Sequence, residues 1–320
     1  MTRKRHFDVY AASCVSNGGI FRYSLSSEGK LTPASSLPLD RPMYFQKLGN
    51  ELHIILRVPE GFGGNSAYLR RQADATEADV QKAVSTEGTV SCHLCVINTD
   101  VYTANYLSGS VSRIGKKLVT HVPSQQMRVG RQDAPHTHCV IPSPDKKYLL
   151  CTDLGLDKIF VYTRALEFVS CAAVPDAHGA RHITFSPDGR YLYCVNELAS
   201  TISVFGYKNG ILTYISTYDC GIKSKNNLAA AIRLSHDGTR MFVSQRGEDC
   251  VSIFDVDGER LTLVGNYPTH GHSPRDMYLT PDYRFLLCAN ESGAITVLET
   301  KSMSLCDTVA LPCALCVYAE

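Results

Sequence analysis

The sequence predicts an all-β protein, a seven-bladed β-propeller with four antiparallel strands per blade, formed by residues 1–320 as a single domain. Two observations lead to this prediction. A turn unit between two apolar strands recurs with a period in the forties, and a further apolar run recurs between these units. A unit of this kind cannot bury its faces alone, so neighbouring units must pack against each other, as the blades of a propeller do.

The stretch 179–205 contains one complete unit. Arg181–Ser186 and Tyr191–Val195 read as strands around a Pro-Asp-Gly turn, and Thr201–Phe205 alternates as a third strand. Weaker copies occupy Tyr44–Leu56 and His93–Ile114. The turn aspartates lie 43, 49 and 45 residues apart, at Asp145, Asp188, Asp237 and Asp282.

The fourth strand of each unit is predicted from an apolar run that follows a polar or glycine residue. Six runs begin at or near Lys30, Lys116, Ala165, Gly210, Arg260 and Met303. The seventh is expected within Ala78–Val84, although the pattern of this segment fits a helix at least as well as a strand. Pro312–Tyr318 resembles the innermost strand of a blade but has no second strand after it. Phe7–Cys14 resembles a second strand but has no innermost strand before it, so the two ends should share one blade.

Composition excludes several classes of function. The net charge of +1, the unclustered basic residues and the lack of a long apolar run indicate no nucleic-acid or membrane partner, and we expect a cytoplasmic monomer. Thirteen cysteines cannot form a complete disulfide framework. Cys151, Cys194 and Cys288 each follow a turn aspartate by six residues, as small buried hydrophobes would. No phosphate-binding loop, dinucleotide fingerprint or nucleophile elbow occurs, and no cofactor is expected.

Charged residues recur at two offsets from the turn aspartate. The first strand begins and the second strand ends at the same rim, so positions seven before and nine after the aspartate should meet at one mouth of the axial channel. These positions hold His138, Arg181, Glu197, Arg246, Arg275 and Glu291. Arginine presents a planar fork of donors to carboxylate or phosphate, and His and Glu can move protons. The pattern therefore predicts a site for a small anionic molecule.

Other polar positions have plainer explanations. His136 and His138 are two residues apart and should share a strand face, but no third ligand follows, and the Cys-x-x-Cys pairs lie in strand-like runs, so no metal site is expected. His93, near the start of an inner strand, is a further candidate for binding substrate, whereas His182 should be a packed histidine. A polar residue eight positions after each turn aspartate, such as Asn196, is expected to cap a turn.

The segments PHTHC, DLGLD, GARH, VNEL and RG, concentrated between His136 and Phe254, resemble the signatures of the seven-bladed propeller lactonase family. That family includes propeller-type 6-phosphogluconolactonases and carboxy-cis,cis-muconate cyclases. The resemblance implies that His138 or His136, Arg181, Glu197 and Arg246 are the catalytic residues. Gln245 and Glu248 depart from the family pattern, where Asn and His are usual.

The resemblance favours hydrolysis of an anionic sugar lactone, with 6-phosphogluconolactone as the leading substrate. His138 or Glu197 would activate water, and Arg181 and Arg246, with Arg275 as a third candidate, would hold the phosphate and the oxyanion. His136, Arg275, His93 and Glu291 would contribute to substrate binding. Two alternatives are a lactonising cycloisomerase acting on a muconate-like dicarboxylate and a non-catalytic propeller that binds other proteins.

Overall fold

The computed structural model describes residues 6–77, 82–123 and 127–320, and these ranges contain 28 β-strands and no α-helix. The strands form seven four-stranded sheets in which every neighbouring pair is antiparallel. The all-β prediction and the number of blades are therefore confirmed. Within the described ranges, no helix is long and apolar enough to cross a membrane.

The blades follow the chain in order, and the strands of each blade are named from the innermost outward. Blade 1 contains β28 (Ala314–Ala319), β1 (Phe7–Ser13), β2 (Gly18–Leu25) and β3 (Leu31–Leu39). Blade 2 contains β4 (Pro42–Leu48), β5 (Glu51–Leu56), β6 (Ala67–Gln72) and β7 (Val84–Ser85). Blade 3 contains β8 (Ser91–Ile97), β9 (Asp100–Asn105), β10 (Ser110–Arg113) and β11 (Lys117–Thr120). Blade 4 contains β12 (Thr137–Pro142), β13 (Tyr148–Asp153), β14 (Lys158–Thr163) and β15 (Phe168–Ala173).

The remaining three blades repeat this order. Blade 5 contains β16 (Ala180–Phe185), β17 (Tyr191–Asn196), β18 (Thr201–Lys208) and β19 (Ile211–Asp219). Blade 6 contains β20 (Leu228–Leu234), β21 (Arg240–Arg246), β22 (Cys250–Asp257) and β23 (Arg260–Pro268). Blade 7 contains β24 (Pro274–Leu279), β25 (Phe285–Asn290), β26 (Ala294–Glu299) and β27 (Leu305–Ala310).

The ring is closed by both ends of the chain. The innermost strands contact one another in the order β28, β4, β8, β12, β16, β20, β24 and back to β28. In blade 1, β28 pairs with β1 from Val9↔Ala319 to Ser13↔Ala314. The predicted sharing of one blade by the two termini is confirmed. The uncertain seventh outer strand, Ala78–Val84, lies partly outside the described residues, and its last residue begins β7.

The recurring turn is held by a small set of hydrogen bonds that explain the aspartate period. Ser186 Oγ donates to Asp188 Oδ1 at 2.6 Å, and the same carboxylate oxygen accepts the Arg190 N–H at 3.1 Å. Gly189 takes a left-handed φ of 69° inside this turn, the conformation that glycine adopts at least cost. Lys146 and Tyr283 take the same conformation in the turns of blades 4 and 7, with φ of 56° and 59°.

The core lies between blades rather than inside one. Tyr193 and Val195 of blade 5 pack against Met241 and Val243 of blade 6, and similar clusters fill the other interfaces. Cys151, Cys194 and Cys288 are fully buried free thiols in these layers, as predicted. Because each apolar layer is shared by two blades, the sheets are mutually dependent for burial.

The polar residues eight positions after the turn aspartates have a structural role that differs between blades. Asn196 Nδ2 donates to Thr201 Oγ1 and to Ser203 Oγ, both at 2.9 Å and both on β18. Asn290 Nδ2 likewise donates to Thr296 Oγ1 on β26 at 3.1 Å. These two side chains therefore link the second and third strands of a blade. Asp153, the equivalent residue of blade 4, caps a turn as predicted, because its Oδ1 accepts the Leu156 N–H at 3.0 Å.

Candidate active site

A β-bulge in each innermost strand turns one side chain toward the same end of the channel. In the described chain, the pairing of the first and second strands shifts register once in every blade. A bulged residue leaves the hydrogen-bonded ladder, and its side chain is aimed differently from its neighbours. The bulged residues are Leu315, Met43, Cys92, His138, Arg181, Ala230 and Arg275.

A cavity of about 210 Å³ opens at this end of the channel. Five bulged residues line it, and other lining residues come from the position directly after a second strand. Its polar walls are formed by Arg57, Tyr106, Arg131, His138, Arg275 and Glu291. Side chains from different blades therefore converge on one mouth, as the turn offsets predicted.

Glu197 is the centre of a buried charge cluster beside this cavity. Its Oε2 accepts Arg181 Nε–H at 2.7 Å and lies 2.8 Å from Arg246 Nη2, while its Oε1 lies 2.5 Å from Arg131 Nη2. Burial alone would raise the pKa of Glu197, but the guanidinium groups of Arg246, Arg181 and Arg131 outweigh it and lower the pKa. Glu197 is therefore an ionised anchor for three arginines, and it is completely buried.

Arg181 is the most enclosed arginine of the cluster. It is 1% exposed, and its Nη1 donates to the Ala230 carbonyl oxygen at 2.6 Å. Burial, together with the nearby Arg246 guanidinium, lowers the pKa of Arg181 to about 9, so it is still charged at neutral pH. Sequence reasoning placed Arg181, Glu197 and Arg246 at one mouth, and the structure brings all three into direct contact.

His138 is the titratable group best placed to act on a bound molecule. It lines the cavity with its ring edge toward Tyr106, at a centroid distance of 5.7 Å. Its Nδ1 has no hydrogen-bond partner among the described residues. Burial and then the positive charges of Arg181 and Arg275 hold the pKa of His138 well below that of free histidine. The imidazole is therefore neutral at pH 7 and can take up a proton, and its unpartnered Nδ1 is buried.

Arg275 and Glu291 occupy the opposite side of the same mouth. Arg275 Nη1 lies 3.5 Å from Glu291 Oε2, and both side chains line the cavity. Arg57 also lines it, and no carboxylate among the described residues pairs with the Arg57 guanidinium. Five arginines thus surround two carboxylates, and the site keeps an excess of positive charge.

His93 lies outside this cavity, contrary to its expected part in substrate binding. The rings of His138, His182 and His93 follow one another down the channel at centroid distances of 5.2 and 5.5 Å. His93 lines a separate space of about 450 Å³ toward the turn end, together with the Arg233–Asp276 ion pair. Burial, with Arg233 and Arg181, lowers the pKa of His93 to about 3, and His182 is a packed, buried histidine as expected.

His136 does not share a strand face with His138, because it lies before β12 and His138 is the bulged residue of that strand. Its Nδ1 lies 3.0 Å from the Tyr106 carbonyl oxygen and its Nε2 lies 3.0 Å from Asp133 Oδ1, while its ring stacks on Tyr106 at 4.4 Å. Both ring nitrogens are thus engaged away from the cavity. Among the described residues, no group of three or more His, Cys, Asp or Glu side chains is arranged to hold a metal ion.

Sequence reasoning missed Arg57, Tyr106 and Arg131. Arg57 follows β5 just as Glu197 follows β17, but the turn of blade 2 lacks the aspartate from which the offset was counted. The end of the weak copy Tyr44–Leu56 was the signal that could have found it. Arg131 lies in the connection between blades 3 and 4, where no repeat position exists.

The comparisons with known proteins agree with this architecture. The family described as "Lactonase, 7-bladed beta-propeller" matches residues 8–317. An uncharacterized protein of Staphylococcus aureus is 30% identical over 319 residues, covering 94% of this chain and 86% of its own length.

Two solved structures are similar over nearly their whole length. A protein of Bacteroides fragilis, assigned provisionally as a 6-phosphogluconolactonase, superposes with a TM-score of 0.86 at 25% identity and covers 100% of this chain and 99% of its own. A periplasmic gluconolactonase of Pseudomonas aeruginosa gives a TM-score of 0.82 at 25% identity, covering 98% of this chain and 99% of its own. Because the family match spans residues 8–317 and the structure has seven blades, the chain belongs to the seven-bladed β-propeller lactonase family.

Proposed function

We propose that the protein hydrolyses the lactone of an anionic sugar acid, with 6-phosphogluconolactone as the preferred substrate. The observation that carries this proposal is a neutral His138 in the wall of a cavity that also carries excess arginine. A lactone is an ester, so its hydrolysis needs a base for water and donors for the oxyanion, and this cavity offers both.

In the proposed mechanism His138 is the general base. Its imidazole accepts a proton from the water that attacks the ring carbonyl carbon, and the carbonyl oxygen becomes an oxyanion. Arg275, in the wall of the same cavity, is the cationic donor for that oxyanion. The tetrahedral intermediate then collapses, the ring C–O bond breaks, and the imidazolium returns the proton to the leaving oxygen. The carboxylic acid formed loses its proton to water.

Glu197 serves this mechanism by positioning arginines rather than by accepting a proton. It is fully buried, and its pKa is lowered by Arg246, Arg181 and Arg131 acting against burial. Both of its oxygens face arginines and it does not line the cavity, whereas His138 does. Of the two bases that the sequence left open, His138 is therefore the one that we assign, and Glu197 fixes Arg181 and Arg246 beside it.

The substrate class follows from charge. A sugar lactone carries no charge of its own, so the excess arginine is best explained by a phosphate or carboxylate elsewhere on the molecule. The provisional assignment of the Bacteroides fragilis protein and the activity named for the Pseudomonas aeruginosa protein support a gluconolactone ring.

The experiment compares hydrolysis of freshly prepared 6-phosphogluconolactone with its spontaneous opening at pH 7. The wild type should exceed the blank, and His138→Gln should lower kcat/KM by about 10²- to 10⁴-fold, the usual contribution of a general base. His93→Gln is the matched control, because it alters a buried histidine of the same channel that lies outside the cavity, and it should stay within about threefold of the wild type. A wild type that does not exceed the blank would refute the proposal. The same assay with a muconate-type dicarboxylate tests the cycloisomerase alternative.

A further inference from the structure

Arg131 is carried over the cavity by a short segment that is firmly anchored on both sides. Gln132 is buried, and its Nε2 donates to the Leu154 carbonyl oxygen at 2.8 Å and to Asp157 Oδ1 at 2.9 Å. Arg128 Nη1 donates to Asp157 Oδ2 at 2.9 Å. The Arg128 N–H also bonds the Gln132 carbonyl oxygen at 3.0 Å. The backbone of Arg131 is therefore fixed to blade 4, and only its side chain is free to rearrange.

The side chain of Arg131 is held less firmly than the other arginines of the cluster. It is 44% exposed, compared with 1% for Arg181 and 8% for Arg246. Its guanidinium lies 6.0 Å from the centre of the Tyr106 ring, at the wall of the cavity. An arginine that is half exposed and adjacent to the space for a ligand can change partners at a low cost in desolvation.

The contact of Arg131 with Glu197 is itself imperfect. Arg181 and Arg246 both approach Oε2, whereas Arg131 alone approaches Oε1. The 2.5 Å separation meets the distance of an ion pair, but Oε1 accepts no hydrogen bond of good geometry, although it is fully buried. Glu197 would therefore keep two of its three cations if Arg131 left, and its Oε1 would become available to another donor.

We propose that Arg131 is the residue that determines specificity for the anionic group of the substrate, exchanging Glu197 for that group when the substrate binds. This inference rests on the proposed lactonase function. The phosphate of the substrate takes the Arg131 guanidinium, and the vacated Oε1 accepts a hydrogen bond from a sugar hydroxyl. When a lactone without the phosphate binds, Arg131 stays paired with Glu197. That lactone therefore gains neither the contact with the Arg131 guanidinium nor the hydrogen bond to Glu197 Oε1. The protein thus distinguishes phosphorylated from unphosphorylated lactones through one side chain.

The test measures a ratio that a merely structural role would leave unchanged. In Arg131→Met, kcat/KM for 6-phosphogluconolactone should fall about 10- to 100-fold, as expected for the loss of a hydrogen bond between charged groups. The value for unphosphorylated gluconolactone should change less than about threefold. Arg131→Lys should recover part of the preference for the phosphorylated lactone, because lysine restores the positive charge but not the two parallel N–H donors of a guanidinium. Arg190→Met, an exposed arginine of the turn in blade 5, is the control and should leave both values unchanged.

Calorimetric binding of the two products provides a readout that does not require turnover. Wild-type protein should bind 6-phosphogluconate more tightly than gluconate, and Arg131→Met should lose most of this difference. If the wild type hydrolyses neither lactone, the proposed function fails, while a phosphate-dependent difference in binding that needs Arg131 still supports its part in recognition. Equal preference in the wild type and Arg131→Met would overturn the inference, and so would a wild type that binds neither product.

Discussion

Replacing Glu197 with glutamine should lower the free energy of unfolding far more than the loss of a surface ion pair would. The substitution keeps the shape of the side chain but removes its charge, and Arg181 is left 1% exposed with the Ala230 carbonyl oxygen as its remaining partner. Breaking a buried pair from one side costs about 3–5 kcal/mol, because the other charge stays buried without compensation. For a chain of 320 residues such a loss lowers Tm by about 4–7 °C.

The assay is urea unfolding followed by circular dichroism, with Glu291→Gln as a matched control. Glu291 occupies the equivalent position in blade 7, but its side chain is 38% exposed and lies 3.5 Å from Arg275. Its replacement should cost less than about 1 kcal/mol, as is usual for exposed pairs. A double variant, Arg181→Met with Glu197→Leu, should recover part of the lost stability, because it also removes the most enclosed arginine, while Arg246 still loses its carboxylate.

The reasoning would be refuted if Glu197→Gln lost less than about 1 kcal/mol, or no more than Glu291→Gln. Such a result would mean that Arg181 finds solvent or another carboxylate, and that the cluster does not act as a rigid anchor. A double variant as unstable as both single variants together would likewise show that the two residues are not coupled.

Three further predictions follow from the fold and the cavity. Arg275→Met should move the acid limb of the kcat/KM profile to higher pH, because Arg275 is one of the charges that lower the pKa of His138, and a profile unchanged from the wild type would contradict this. Asp188→Ala should cost about 1 kcal/mol at pH 7, measured by urea unfolding. The Ser186 hydroxyl and the Arg190 N–H lower the pKa of Asp188 to about 2, so its contribution is present above about 4 and should vanish as pH falls through 2. Removing residues 314–320 deletes β28 and should abolish the cooperative thermal transition, and a truncated chain that melts like the full one would show that the closure is dispensable.

The sequence was sufficient to predict the ring of blades and part of the candidate site, because the recurring turn can be recognised in it. Ser186, Asp188 and Gly189 fix where the first strand ends and the second begins, so counting from the aspartate gives the register of both. That register places Arg181 and Glu197 together, and they form a direct ion pair of 2.7 Å. A repeated local structure thus supplied long-range information.

The same counting failed wherever the local structure departs from the repeat. A bulge cannot be recognised from alternation of side chains, so His136 was expected beside His138 although it turns to Asp133 and Tyr106. Arg131 is brought to Glu197 by an anchored connection between blades, and this contact spans 66 residues of sequence with no periodic signal.

The bulges have a consequence for how such a protein can acquire a new substrate. Each bulged residue stands outside the regular strand ladder, while its neighbours in the same strand pack between blades and hold the ring together. Exchanging Met43 or Cys92 for a charged or aromatic side chain would alter the reactive mouth while leaving those packed neighbours in place. Each blade thus contributes one bulged position whose side chain can be substituted independently. Evolution can therefore change the substrate one position at a time while the propeller fold is retained.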